Sequence, residues 1–261
     1  MKFVITIMFY ALLFAPANGA AFAQEKQQPA KASEAAAKAA TAEPTVDQIL
    51  DKFEQAIGGR QAMEKITSRV AKGVFELPSM GLKGELEIYT KAPNKSLSIQ
   101  NFPGIGEARE GYDGKVAWAQ HPIQGLREKS GAELAAAVRM SDMHVAIKTR
   151  QLYSKLEFKG KEKVGDHETY VILATPQEGA PVTMYFDTQT GLIARTDLIL
   201  ETPEGRIPVE IMAEDYREVD GIKMAFTALQ KTPMANVVIK LTEVKHNVAI
   251  DDAKFNKPAA Q

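Results

Sequence analysis

Side chains able to do chemistry are sparse in this chain. The four histidines of the 261 residues, His121, His144, His167 and His246, are scattered without the short spacing that metal ligation requires, and His167 and His246 lie beside turns or strand ends. Cysteine is absent, which removes disulfides, thiolate ligands, thiol nucleophiles and a lipid-modified N-terminal cysteine. There is no G-x-S-x-G elbow, no H-E-x-x-H and no Walker loop. Gly104-x-Gly106 lacks the preceding strand and following helix of a dinucleotide site and reads as a turn. Asp47, Asp51 and Glu54 fall on one helix face opposite Val46, Leu50 and Phe53, and Asp251-Asp252 lies near the C-terminus. These acids read as solvated rather than as a general acid and base. What remains is apolar chemistry. Trp118 is the single tryptophan and reads as core or as the wall of a cavity. Met184, Met212, Met224 and Met234 sit on or near strands, where unbranched, polarizable side chains suit either irregular core filling or an adaptable lining.

The elements that would position these residues follow from periodicity. Val46, Ile49, Leu50, Phe53 and Ile57 recur at helical spacing behind a Thr45 cap and before Gly58-Gly59, so a helix with its stop is expected there. Arg60 to Ile66 reads as a further turn or two of helix. After Arg69 the period becomes two: Leu82, Gly84, Leu86 and Ile88 alternate with Lys83, Glu85, Glu87 and Tyr89. The same alternation recurs at Leu97 and Ile99, Val116 and Trp118, Val171 and Leu173, Met184 and Phe186, Val209 and Ile211, Met224 and Phe226, and Val237, Ile239 and Leu241. Asp113-Gly114, Gln189-Thr190-Gly191, Glu204-Gly205 and Asp220-Gly221 punctuate the strands as hairpin turns. Only Gly131 to Tyr153 breaks the run, with Leu134, Val138, Ile147 and Leu152 indicating two short helices. Consecutive hairpins without a strand-helix-strand rhythm predict an α+β fold. It is one strongly curved antiparallel sheet with a single buried face, covered by an N-terminal helix and a central helical insertion.

The N-terminus reads differently. Lys2, the apolar stretch Phe3 to Phe14 and the small-x-small triplet Ala21-Phe22-Ala23 have the form of a secretory signal peptide cleaved near Ala23, and the stretch is shorter than the ~20 residues of a spanning helix. Residues 24–44 are mostly Ala, Gln, Lys and Glu with no aromatic and no branched aliphatic residue, which predicts a disordered Ala-rich tether. A folded domain is then expected over residues 45–261. Lys+Arg 32 against Asp+Glu 33 gives a formal charge of -1, and without a basic block neither nucleic acid nor stable membrane insertion is expected.

The order of these pieces carries a resemblance. An amphipathic helix, then strand, K-A-P-N-K (Lys91 to Lys95), strand, Y-D-G-K-V-A-W (Tyr112 to Trp118), Y-F-D-T-Q-T-G-L (Tyr185 to Leu192), D-Y-R-E-V-D-G-I-K (Asp215 to Lys223) and D-D-A-K-F-N-K-P (Asp251 to Pro258) resembles the LolA/LolB-like family of periplasmic lipoprotein carriers. The nearest branch is the one labelled outer-membrane lipoprotein-sorting protein. The resemblance implies an unclosed β-barrel whose hydrophobic hollow receives acyl chains under a helical lid, a periplasmic location, no cofactor and no catalysis. It also implies an arginine that engages the lid, for which Arg69 and Arg109 stand at suitable positions. The alternate apolar positions then define an expected lipid-binding lining of Leu86, Ile88, Leu97, Ile99, Trp118, Met184, Phe186, Val209, Ile211, Met224, Phe226 and Ile239. The expected partner is a lipoprotein or lipid acyl chain. The alternative is a non-enzymatic envelope interaction module with a packed core, an accessory factor or RseB-like sensor that binds a protein instead.

Overall fold

A computed structural model describes residues 43–203 and 205–259. The signal peptide, nearly all of the tether and Glu204 lie outside the described residues. The helix expected at the start forms α1, Val46–Ala56, and the Thr45 hydroxyl accepts from the Gln48 backbone while the Gln48 side chain accepts from Thr45 N–H, a reciprocal cap. A short α2, Arg60–Glu64, follows.

Thirteen strands form one antiparallel sheet. The first meander comprises β1 Ser68–Leu77, β2 Leu82–Lys91, β3 Lys95–Phe102, β4 Gly106–Tyr112, β5 Ala117–His121 and β6 Gly125–Glu128. The second comprises β7 Lys155–Val164, β8 His167–Thr175, β9 Val182–Asp187, β10 Ile193–Thr202, β11 Gly205–Val219, β12 Ile222–Lys231 and β13 Asn236–His246. Strand β1 pairs with β13, which joins the meanders and leaves β6 and β7 as the two unpaired edges, so the barrel is not closed. The central insertion therefore runs from one edge of the sheet to the other. It folds as α3, Gly131–Met140, a 3-10 turn at Val145–Ile147 and α4, Thr149–Leu152. No helix among the described residues is long and apolar enough to cross a membrane.

Register decides the faces, because directly opposed residues of an antiparallel ladder point the same way. Leu86 and Ile88 stand opposite Gly73 and Ala71, while Phe75 stands opposite Ile239, and Ile239 opposite Ala228. These residues, with Phe226, Met224, Ile211, Val209, Phe186 and Met184, form the helix-covered concave face and belong to the main core. Helix α1 lies on it with Ile49, Leu50 and Phe53 buried, and Phe53 meets Phe186 edge to face at 5.5 Å.

Leu97 and Ile99 stand instead opposite Tyr89 and Glu87, and Leu97 and Trp118 both stand opposite Gly111. All three point to the convex side. There the C-terminal segment covers them: Ile250 and Phe255 pack on Leu97 and Trp118, and the Trp118 indole N–H donates to the Phe255 carbonyl at 3.0 Å. The expectation of a single buried face is thereby corrected, since a second, smaller core exists on the other side. Val171 and Leu173 are inverted too. They pair with Tyr185 and Thr183, while Ile172 and Ala174 pair with concave Met184 and Val182. Two glycines make room for the aromatic anchors. A Cβ at Gly84 would lie 2.4 Å from Phe75, and one at Gly111 would lie 2.6 Å from Trp118.

Candidate functional site

The concave face is mostly filled by α1, but its end beneath the insertion is hollow. A cavity of about 160 Å³ opens where β1 to β4 pass under the C-terminal part of α3 and the loop after it. Its apolar wall includes Ala71, Ile88, Met140, Met143, Met224 and Leu241, and its polar wall includes Arg69, Thr90, Ser96, Ser98, Glu110 and Lys129.

The polar wall follows from strand register. Arg69, Thr90, Ser96 and Tyr112 form one row across β1, β2, β3 and β4, and Ile88, Ser98 and Glu110 form the next. Sequence alternation conceals this row, because Thr90, Ser96 and Ser98 occupy inward positions of strands whose other residues supply the apolar signal. Arg69 is 8 % exposed. Its Nε donates to His246 Nε2 at 3.1 Å, and His246 Nδ1 lies 3.1 Å from Asp220 Oδ2. His246 therefore accepts on one nitrogen and donates on the other, as a neutral ring does. Burial, and then the neighbouring guanidinium, holds its pKa below that of ordinary histidine. Burial alone lowers Arg69 to about 10, so it stays cationic at neutral pH. Its Nη2 has no hydrogen-bond partner, and neither have the buried Thr90 and Ser98 hydroxyls.

The acids around the cavity are already engaged. Lys129 Nζ, its side chain 3 % exposed, lies 2.7 Å from Glu110 and 3.7 Å from Glu133. Glu133 also takes a bidentate pair of 2.7 Å hydrogen bonds from Arg127. Asp142 is held by Lys148 at 2.7 Å.

The lid itself is held by polar contacts. Glu133 is the one buried residue of α3, while Leu134 is half-buried and Val138 is exposed. At the far end of the helix Ser141 Oγ lies 2.7 Å from Ser96 Oγ, and beyond it Met143 N–H donates to Pro93 O at 3.0 Å. Arg150 of α4 spans Asp47, Asp51 and Glu54 of α1 at 2.6 to 3.0 Å. The acidic face of the first helix is thus bound by the insertion rather than simply solvated, a long-range contact that a local helix pattern does not reveal.

Of the residues expected to line a lipid site, Ile88 and Met224 reach the cavity with their concave side chains. Leu86, Phe186 and Ile239 are sealed in the packed core, whereas Met184, Val209, Ile211 and Phe226 retain slight exposure on the same face. Leu97, Ile99 and Trp118 are on the opposite face. Leu97 borders the cavity at the strand, but its side chain packs in the convex core. Met212 stands opposite Arg195, away from the concave row, and Met234 is exposed. Arg109 also points to the convex side, opposite Ile99, and pairs with Glu107, so of the two arginines singled out only Arg69 sits under the lid. Two other histidines are engaged away from the cavity: His144 Nε2 lies 3.0 Å from Ile66 O, and His167 Nδ1 lies 2.8 Å from Asp187 Oδ2.

Architecture and cavity together define a half-open antiparallel shell with helices strapped across its mouth. The fold is LolA-like. A DUF1329 family protein from Desulfovibrio piger superposes with a TM-score of 0.56 at 17 % identity, over 83 % of this chain and 99 % of that one. A LolA superfamily protein from Nitrosomonas europaea gives 0.55 at 12 %, over 82 % and 99 %. An outer-membrane lipoprotein-sorting protein domain from Vibrio parahaemolyticus gives 0.53 at 10 %, over 80 % and 96 %. No family model and no curated protein matches the sequence.

Proposed function

We propose that the protein is a non-enzymatic carrier or chaperone that shields acyl chains, of a lipoprotein or another lipid, between its concave sheet and the α3 lid. The observation that carries this reading is the contrast between floor and lid. The floor is a continuous apolar core, whereas the helix over the cavity is pinned by the Glu133 ion pairs and leaves each of its apolar side chains at least partly exposed. A segment held in this way opens at small cost in apolar exposure. A cavity of about 160 Å³ matches one that holds a single benzene-sized molecule, so a whole acyl chain needs the lid to move. Removing each methylene from water contributes about 0.8 kcal/mol. The chain enters beside Ile88 and Met224 and extends over Met184, Val209, Ile211 and Phe226, with Leu86, Phe186 and Ile239 as the floor beneath. The likeness to a lipoprotein-sorting domain supports the same reading. So does the N-terminal pattern, with a signal peptide over residues 1–23, a tether over 24–44 and the carrier domain over 45–261, acting in the periplasm.

The lid can be locked reversibly, because the chain contains no cysteine and the Ser96 and Ser141 side chains already touch. Oxidised Ser96→Cys/Ser141→Cys protein should exclude a fluorescent fatty acid, and reduction should restore uptake to the wild-type level. Equal uptake by both forms overturns the lid. Wild-type protein that purifies from the periplasm without lipid and takes up no fatty acid overturns the carrier reading and favours the interaction module.

A further inference from the structure

The cavity is not uniformly greasy, and its polar corner is chemically specific. On one face of β1 to β3 lie a buried guanidinium and two buried hydroxyls, all bordering the cavity, and none of Arg69 Nη2, Thr90 Oγ1 and Ser98 Oγ has a hydrogen-bond partner. Buried polar groups are rarely left unmatched, and a buried cation is costly unless an anion or strong acceptor faces it. Among the described residues no carboxylate fills that role. Glu110 is bound to Lys129, Asp142 to Lys148, and the nearest polar partner of Arg69 is neutral His246 on its Nε side. The His246–Asp220 contact holds the far side of the guanidinium, leaving Nη2 as the uncommitted end.

Building on the carrier reading, we infer that this corner is a head-group site. It takes an oxyanion, carboxylate or phosphate, attached to an apolar body, with Arg69 as the charge partner and Thr90 and Ser98 donating to the remaining oxygens. Ile88, Met143, Met224 and Leu241 receive the first methylenes, and the rest of the chain leaves beneath α3. The cargo class is therefore an anionic amphiphile rather than a neutral lipid.

Titration calorimetry of the full chain with decanoate, methyl decanoate and inorganic phosphate tests this without relying on any variant. Decanoate should bind at least ~10-fold more tightly than its methyl ester, the ratio expected of a hydrogen bond to a charged partner. In Arg69→Gln the preference should vanish while ester affinity is retained, and Thr90→Val, of the same shape, should reduce decanoate affinity alone. Equal affinity of wild-type protein for acid and ester overturns the head-group site and leaves the carrier reading intact, with the corner matched by water. Binding of neither overturns the carrier reading itself. Phosphate that binds alone, without competition from decanoate, shows an anion site unconnected to lipid and overturns the inference. Phosphate displaced by decanoate supports it.

Discussion

Phe255→Ala tests the convex core, the feature least visible in the sequence. Phe255 is 0 % exposed and packs with Leu97, Trp118 and Ile250. Deleting a fully buried phenyl ring costs about 3–5 kcal/mol, the transfer term plus the cavity left behind. The low end applies here. The segment lies over the outside of the sheet and can partly collapse into the space, and the Trp118 hydrogen bond goes to a backbone carbonyl that the substitution leaves in place. A loss of about 3 kcal/mol in a domain of this size lowers the melting temperature by about 6–12 °C. Trp118 is the only tryptophan, so its emission reports this site alone. Urea unfolding followed by that emission should show a lower midpoint with an unchanged slope, and the folded variant should emit further to the red as water reaches the indole. Wild-type emission should remain unchanged when fatty acid saturates the cavity on the opposite face. A variant with wild-type emission and midpoint would refute the argument that the C-terminal segment is part of the fold.

Gly111→Ala places a methyl 2.6 Å from the Trp118 ring and should cost about 1–3 kcal/mol by overpacking, read as a lowered urea midpoint. Glu133→Gln removes the carboxylate that Arg127 and Lys129 share. Amide exchange should accelerate in residues 131–147 while the concave strands keep their protection, and a uniform change across the sheet would count against a separately held lid. Asp187 is opposed by burial, which raises a carboxyl, but hydrogen bonds from Thr190, Gln189 and His167 outweigh it and hold the group below its ordinary 3.8. Its contribution is therefore complete above the unfolded value and is lost as pH falls through the lower folded one. Asp187→Asn should flatten the acid limb of the stability curve below about pH 4, and an unchanged acid limb would contradict the assignment.

The sequence by itself determined what local forces determine. The Thr45 cap and the Gly58-Gly59 stop bracket α1 because capping and left-handed backbone are properties of a few neighbouring residues. The alternation of Leu86 with Glu87 marks a strand, and Asp113-Gly114 and Asp220-Gly221 mark its turns. The class of fold, a curved antiparallel meander with a helical insertion, was legible from these alone. The faces were not. A strand's period of two separates its two sides without saying which is inside, so Leu97, Ile99 and Trp118 read like Leu86 and Ile88 until the register set them on opposite surfaces. Pairing of β1 with β13 is equally non-local, and it is this pairing that puts β6 and β7 at the two edges and forces the insertion across the mouth as a lid. The head-group corner depends on both decisions at once. Arg69, Thr90 and Ser98 lie on three different strands, and only the folded sheet brings them to one face, under one helix, with their polar atoms turned away from water.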